Sequence, residues 1–167
     1  FASVEVGWKS MLYLTLTGRN DWASQLANSS TPCFFYPSVG LSGVISEMLT
    51  LPEFIDYMKV RGSFSSVGMP YPRNLTSPTY EYDEANQQWK PKTHYPIKDL
   101  KPERTNSWEL GLDMRLFKDF SLGFSWYLAN TFNQTFDPKV SVSSGYSKIY
   151  LQTGYVRNSG VELSLGY

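Results

Sequence analysis

From Ser107 to Leu116 the chain alternates strictly. Trp108, Leu110, Leu112, Met114 and Leu116 occupy one set of positions, and Ser107, Glu109, Gly111, Asp113 and Arg115 the other. A period of two puts each set on its own face of a strand. After the turn Phe117-Lys118-Asp119 the pattern resumes, with Phe120, Leu122, Phe124, Trp126 and Leu128 opposite Ser121, Gly123, Ser125, Tyr127 and Ala129. One face is bulky and apolar. The other mixes charge with Gly and Ser, residues too small and too polar for the packed interior of a soluble sandwich. Apolar outside and wet inside is the pattern of a transmembrane β-barrel.

The same reading along the chain predicts eight strands, over residues 2–8, 11–20, 36–45, 56–67, 105–116, 120–133, 149–154 and 161–167. The links between them are 9–10, 21–35, 46–55, 68–104, 117–119, 134–148 and 155–160, so shorter and longer links take turns. Outer-membrane barrels place short turns at one rim and long loops at the other, which assigns every link to a side. Several strands reach the roughly 9 to 11 residues of a tilted crossing, whereas 2–8 and 149–154 fall short.

Composition narrows the classes. The chain is 41% hydrophobic and 16% aromatic, with a mean hydropathy of −0.33. It holds no apolar run near the roughly 20 residues of a membrane helix, so a crossing is made by strands. The formal net charge is zero and no face collects Lys and Arg, which argues against a nucleic-acid partner. Cys33 is alone, leaving no internal disulfide framework and no thiolate zinc site. Phe1 stands first and residues 1–8 already read as a strand, so we expect a piece of a larger barrel, with open edges or strand partners elsewhere.

Aromatic residues gather near predicted strand ends: Trp8 and Tyr13 at the first turn, Phe117 and Phe120 at the fifth, Tyr150 and Tyr155 at the seventh. Such rings suit the headgroup girdles of a barrel, although strands are rich in aromatics anyway. The polar members Glu5, Arg19, Lys59, Arg61, Glu109, Asp113, Arg115 and Glu162 would line the lumen. Pairing across neighbouring strands is expected of them before contact with a transported molecule.

A set of ordered motifs resembles a known family. Gly18-Arg19-Asn20-Asp21-Trp22, Phe35-Tyr36-Pro37-Ser38-Val39 and Ile45-Ser46-Glu47 look like successive landmarks in the barrel of SusC-like TonB-dependent transporters of Bacteroidetes. Lys59-Val60-Arg61-Gly62-Ser63, Leu100-Lys101-Pro102-Glu103-Arg104-Thr105 and Glu109-Leu110-Gly111-Leu112-Asp113 continue the series. Gly154-Tyr155-Val156-Arg157-Asn158-Ser159-Gly160-Val161-Glu162-Leu163 resembles a later hairpin. Met69 departs from the pattern, since members usually carry Asn there. The resemblance implies that residues 1–167 are a partial barrel domain, about eight strands of a roughly 22-stranded antiparallel barrel, with plug domain and barrel remainder outside this sequence. It also implies active uptake across the bacterial outer membrane, in contact with outer-membrane lipid. A SusD-like surface lipoprotein would lid the barrel, a TonB complex acting through the plug region would supply energy, and the cargo would be an oligosaccharide or a peptide.

Residues 68–104 make the longest link, and links beyond about 12 to 15 residues are usually functional or disordered. Aromatic faces stack on the apolar C–H faces of sugar rings, so Tyr80, Tyr82, Trp89 and Tyr95 are the candidate residues for cargo or lid contact. The competing expectation is that they pack the link onto itself or onto the barrel rim. Asp83, Glu84 and Asp99 form no ligand-spaced cluster, and His94 has no second His or Cys near it. No Gly-x-Ser-x-Gly elbow is present, and Lys9-Ser10 lacks the glycine-rich lead of a phosphate loop. The pattern therefore calls for no catalysis, cofactor or metal. Two alternatives remain: a secreted all-β carbohydrate-binding module, which the triplets Asn28-Ser29-Ser30, Asn74-Leu75-Thr76 and Asn133-Gln134-Thr135 would suit as glycosylation acceptors, and a small closed barrel without transport.

Overall fold

The computed structural model describes residues 1–26, 32–71, 80–91, 95, 101–144, 146 and 148–167. Asn28-Ser29-Ser30, Asn74-Leu75-Thr76, His94 and Asp99 lie outside the described residues. Nine strands form: β1 (Ala2–Trp8), β2 (Leu12–Trp22), β3 (Cys33–Val44), β4 (Ile55–Met69), β5 (Tyr80–Asp83), β6 (Gln88–Pro91), β7 (Glu103–Leu116), β8 (Phe120–Phe136) and β9 (Leu151–Gly166). A single helical turn, α1 (Ile45–Met48), follows β3. Seven strands make one antiparallel sheet in the order β1-β2-β3-β4-β7-β8-β9, and β5 and β6 pair as a separate hairpin.

The register keeps the two faces distinct across the whole sheet. Val6, Leu14 and Leu41 lie side by side, as do Val60, Leu112, Phe124 and Leu163. The alternate positions carry Glu5 and Thr15, then Arg61, Gly111, Ser125 and Glu162. No one-residue slip is tolerated here, because it would exchange the two faces of an entire strand.

The apolar face is left uncovered: Trp108 is 51% exposed, Leu110 55% and Leu163 64%. Among the described residues the buried apolar side chains are Leu26 and Tyr71. A soluble two-sheet sandwich would bury this face against a second sheet, so the module alternative fails on architecture.

Links join neighbouring strands, and the links at 23–32 and 45–54 are equal in length, so the expected alternation of shorter and longer links holds only from β4 onward. The turns 9–11 and 117–119 and the segment 45–54 lie at one rim, and from the other rim leave the links after β2, β4 and β8, of which the last two are the longest. Two of the short turns use left-handed backbone without glycine, at Lys9 and Ser10 (φ 50° and 56°) and at Phe117 and Lys118 (φ 52° and 66°). The second is braced by its neighbour. The Phe117 amide donates to the Phe54 carbonyl at 3.0 Å, and the Lys118 amide donates to the Asp56 carboxylate at 2.6 Å.

Several expectations are corrected. Residues 149–154 and 161–167 are not two strands, because Leu151–Gly166 runs as one and the link at 155–160 does not exist. Asn158, Ser159 and Gly160 look like turn residues but pair in the ladder with Ala129, Leu128 and Tyr127. Tyr155 therefore flanks no turn, and it packs on Phe132 inside the sheet at 5.2 Å. Tyr13 belongs to the polar face, where its ring covers Gly7. Asn133-Gln134-Thr135 sits within β8, with Asn133 at a bulge and φ 57°. The expected strand ends are exceeded mainly at the long-link rim, where β2, β3, β4, β7 and β8 each run two or three residues further.

Candidate functional site

Two groups of polar and aromatic residues carry the functional questions: the link between β4 and β7, and the polar face of the sheet. The link is tied at both of its ends. At its start Tyr71 is buried with Leu26, against Ala23, Phe34 and Tyr150, which joins all three long links. At its far end Gln152 of β9 accepts from the Lys101 amide and donates back to the Lys101 carbonyl.

Between these ties stands the hairpin of β5 and β6. Tyr82 and Trp89 are direct cross-strand partners with ring centroids 5.2 Å apart and planes tilted 60°. Strand alternation puts Tyr80 on the same face, and Tyr80 and Trp89 are each 67% exposed. Asp83 closes the turn. It accepts from the amides of Ala85 (3.1 Å) and Asn86 (3.3 Å), from Asn86 Nδ2 (2.8 Å) and from Lys90. The Lys90 ammonium first, and then the Asn86 amide group, hold the Asp83 carboxyl below its usual range. With its oxygens committed to the turn, Asp83 is a turn former rather than a cation ligand. Glu84 is exposed beside it.

Three of the four candidate aromatics are thus brought together, and the fourth is not. Tyr95 packs edge-on against Tyr146 at 5.3 Å, and its amide donates to the Lys148 carbonyl at 3.0 Å, so it fastens its link to the link 137–150. There Lys148 pairs with Asp137 at 3.1 Å, which raises the ammonium's pKa. The hairpin was not among the predicted strands, although Tyr-Glu-Tyr-Asp and Gln-Trp-Lys alternate in the sequence around a four-residue turn.

On the polar face Arg61 of β4 reaches over β7 to β8. Its guanidinium lies 3.4 Å from Glu109 and 3.9 Å from Asp113, and donates to Ser125 Oγ at 2.9 Å. Arg19 pairs with Asp21 at 2.8 Å. Pairing is therefore found for these residues, while Glu5, Lys59, Arg115 and Glu162 make no ion pair among the described residues. No group of three His, Cys, Asp or Glu side chains gathers at a metal-binding spacing among the described residues. Cys33 is a free, half-buried thiol at the start of β3.

A family model described as TonB dependent receptor-like, beta-barrel matches residues 1–167. The chain belongs to the TonB-dependent receptor β-barrel family. Its open sheet is accordingly an arc of an antiparallel transmembrane barrel, with the apolar face towards lipid and the polar face towards the lumen. Among solved structures, the chain is similar to the RagAB peptide importer in its closed-closed state, with a TM-score of 0.79 and 20% identity over 98% of this chain and 18% of that one. The open-open state of that importer gives a TM-score of 0.79 and 21% identity. The siderophore receptor PirA from Pseudomonas aeruginosa gives 0.67 and 15%, over 98% of this chain and 29% of that one. At these identities the likeness is one of fold, and the chain spans 18% of the RagAB chain it overlays. No curated protein matches the sequence.

The family assignment gives the faces a scale. On β7 the apolar positions run from Trp108 to Leu116, about 27 Å at 3.4 Å per residue, or about 20 Å once tilted by about 40°. That is close to the apolar band of an outer-membrane barrel. Phe54 and Phe117, stacked at 5.9 Å, and Phe120 beside Tyr167 at 5.0 Å line its short-turn rim.

Proposed function

We propose that residues 1–167 form part of the barrel wall and extracellular loops of a SusC-like importer. The importer would take up an oligomeric nutrient across the bacterial outer membrane, with energy from a TonB complex that acts through a plug outside this sequence. The observation that carries the reading is the seven-stranded sheet itself: apolar on one face, polar on the other, with its two longest links leaving from the same rim, and open at β1 and β9. An open edge exposes a full row of unpaired backbone groups, which within a membrane must be satisfied by further strands. The wall carries no catalytic step in this reading.

Cargo and lid contact fall to the hairpin of β5 and β6. Its exposed face of Tyr80, Tyr82 and Trp89 offers flat apolar rings beside the polar turn, which suits either a sugar face or a peptide side chain. The fold likeness to the RagAB peptide importer favours a peptide, and the aromatic face by itself suits a glycan as well. A surface lipoprotein of the SusD type would close over this rim.

The test is uptake by cells. A strain lacking the gene of the full-length protein should fail to accumulate labelled oligosaccharides or labelled peptides that the parent strain accumulates. Dissipating the proton gradient should stop uptake in the parent. The native polypeptide, isolated from outer membranes, should have a mass several times the 19.1 kDa of this sequence and yield plug peptides on mapping. Uptake that persists in the deleted strain, or a native mass of 19.1 kDa, would overturn the proposal.

A further inference from the structure

We propose that the stretch 146–150 is the seat of the hairpin formed by β5 and β6: Tyr146, Lys148 and Tyr150 fix the place of the Tyr82 and Trp89 rings and so set how tightly cargo is held, without touching cargo themselves. The inference rests on the hairpin meeting cargo, as proposed above, and adds positioning residues to it.

Both roots of the hairpin stand on this stretch. Ahead of β5, Tyr71 is buried with Leu26, and Tyr150 packs against that pair. Behind β6, the Tyr95 ring meets Tyr146 edge-on at 5.3 Å, and the Tyr95 amide donates to the Lys148 carbonyl at 3.0 Å. The second root is the closer one. From Pro91, the end of β6, the chain reaches Tyr95 in four steps, so their Cα atoms lie within about 14 Å of each other. Without that root the next tie is Lys101, held by Gln152, which extended chain reaches at about 36 Å from Pro91.

The seat is braced by contacts that do not involve the hairpin. Lys139 and Lys148 form an antiparallel bridge, the Ile149 amide donates to the Pro138 carbonyl at 3.4 Å, and the Lys148 ammonium pairs with Asp137 at 3.1 Å. The bend at Val142–Ser144 is closed by the Ser144 amide, which donates to the Ser141 carbonyl at 3.0 Å. At the base, Gln152 of β9 donates to the Asn133 carbonyl at 3.4 Å and to Thr135 Oγ1 at 3.3 Å on β8, which ties the strand carrying the seat to the wall. The hairpin has no such bracing from the wall: among the described residues β5 and β6 pair with each other and with no strand of the large sheet. Its position is therefore set at its roots.

A binding surface that is already in place when cargo arrives loses less order on binding, so seating lowers KM and leaves the later steps of transport alone. Tyr95→Ala keeps the amide that bonds Lys148, and the Tyr71 root with it. Tyr95→Pro removes ring and donor together, and Tyr150→Ala takes the packing from under Tyr71.

The test compares the full-length parent with Tyr95→Phe, with Tyr95→Pro/Tyr150→Ala and with Trp89→Ala, by two readouts. In a Cys33→Ser background, spin labels at Glu84 in the hairpin turn and at Ser107 on β7 report the distance from hairpin to wall. The expected result is a single narrow distance in the parent and in Tyr95→Phe, lost in Tyr95→Pro/Tyr150→Ala. In uptake by cells, that double variant should raise KM about fivefold at unchanged maximal rate. Adding Trp89→Ala to it should raise KM little further, since both changes act through the same rings. A narrow distance that survives the double variant would overturn the seat, as would a parental KM in the double variant where Trp89→Ala alone raises KM. A distance that broadens while neither the double variant nor Trp89→Ala moves KM would overturn cargo contact by the hairpin, and with it the seat's part in uptake.

Discussion

Arg61 lies flat across Gly111. The two are direct partners between β4 and β7, and a Cβ on Gly111 would stand 2.2 Å from Arg61 Nε. The glycine is thus the floor over which the guanidinium passes on its way from β4 to Ser125 on β8. Tyr127 does the same over Gly160, where a Cβ would come 2.5 Å from the phenol oxygen. Glycine on the lumen face keeps long polar side chains against the wall and out of the passage.

Gly111→Ala should therefore displace Arg61 and nothing else, since the obstructing atoms belong to a flexible side chain. With Arg61 44% exposed, the lost pairs are screened, and we expect a loss of no more than about 1 kcal/mol in unfolding of the full-length barrel. The same substitution in an Arg61→Ala background should cost almost nothing. A double-mutant cycle measures this coupling, and a cycle that closes to zero would contradict the arrangement.

Replacing Lys118 with glycine should stabilise the barrel by about 1 kcal/mol, because φ 66° strains any side-chain-bearing residue. The amide that Asp56 accepts from is retained. Denaturant titration in detergent is the check, and a destabilised variant would show that the Lys118 side chain matters.

The hairpin should loosen in acid. The Asp83 carboxyl is depressed by Lys90 and Asn86, so its contribution is complete above the ordinary carboxylate range and is lost as pH falls through the lowered value. Amide exchange at Ala85 and Asn86 should rise in that acid window. The Asp83→Asn variant should show no such step, and a wild-type hairpin with no step would refute the assignment.

Trp89→Ala should raise the KM of uptake roughly fivefold to tenfold with little change in maximal rate, if the exposed ring pair meets cargo. Tyr95→Ala should leave KM alone. Because Tyr95 holds the link 137–150 through Tyr146 and Lys148, its loss should instead speed proteolysis within that link. The reverse pattern would exchange the two roles.

The alternation at Trp108–Leu128 was enough to identify the strands and their faces, because in a barrel wall each residue answers to one neighbour only, lipid or lumen. Strand ends were less legible. Past the predicted ends, Asp21, Gly68, Arg104 and Gln134 continue the ladder with side chains that read as loop, and only their cross-strand partners keep them in the sheet. The false link at 155–160 has the same origin: Gly160 is required by the ring of Tyr127 on β8, a demand invisible to local sequence. The aromatic residues of the long link were recognised by type, but nothing local separates Tyr95, which fastens the link, from Tyr82 and Trp89, which form the exposed pair.

The face assignment underlies every function argued above, and adjacent positions on β7 test it. In the full-length protein with Cys33→Ser, single cysteines replace Leu112 and Asp113 in cells with intact outer membranes. A bulky lipid-phase quencher should reach a fluorophore at 112 and not at 113, and a small water-soluble maleimide should modify 113 and not 112. The opposite pattern, or equal modification of both positions, would contradict the barrel wall.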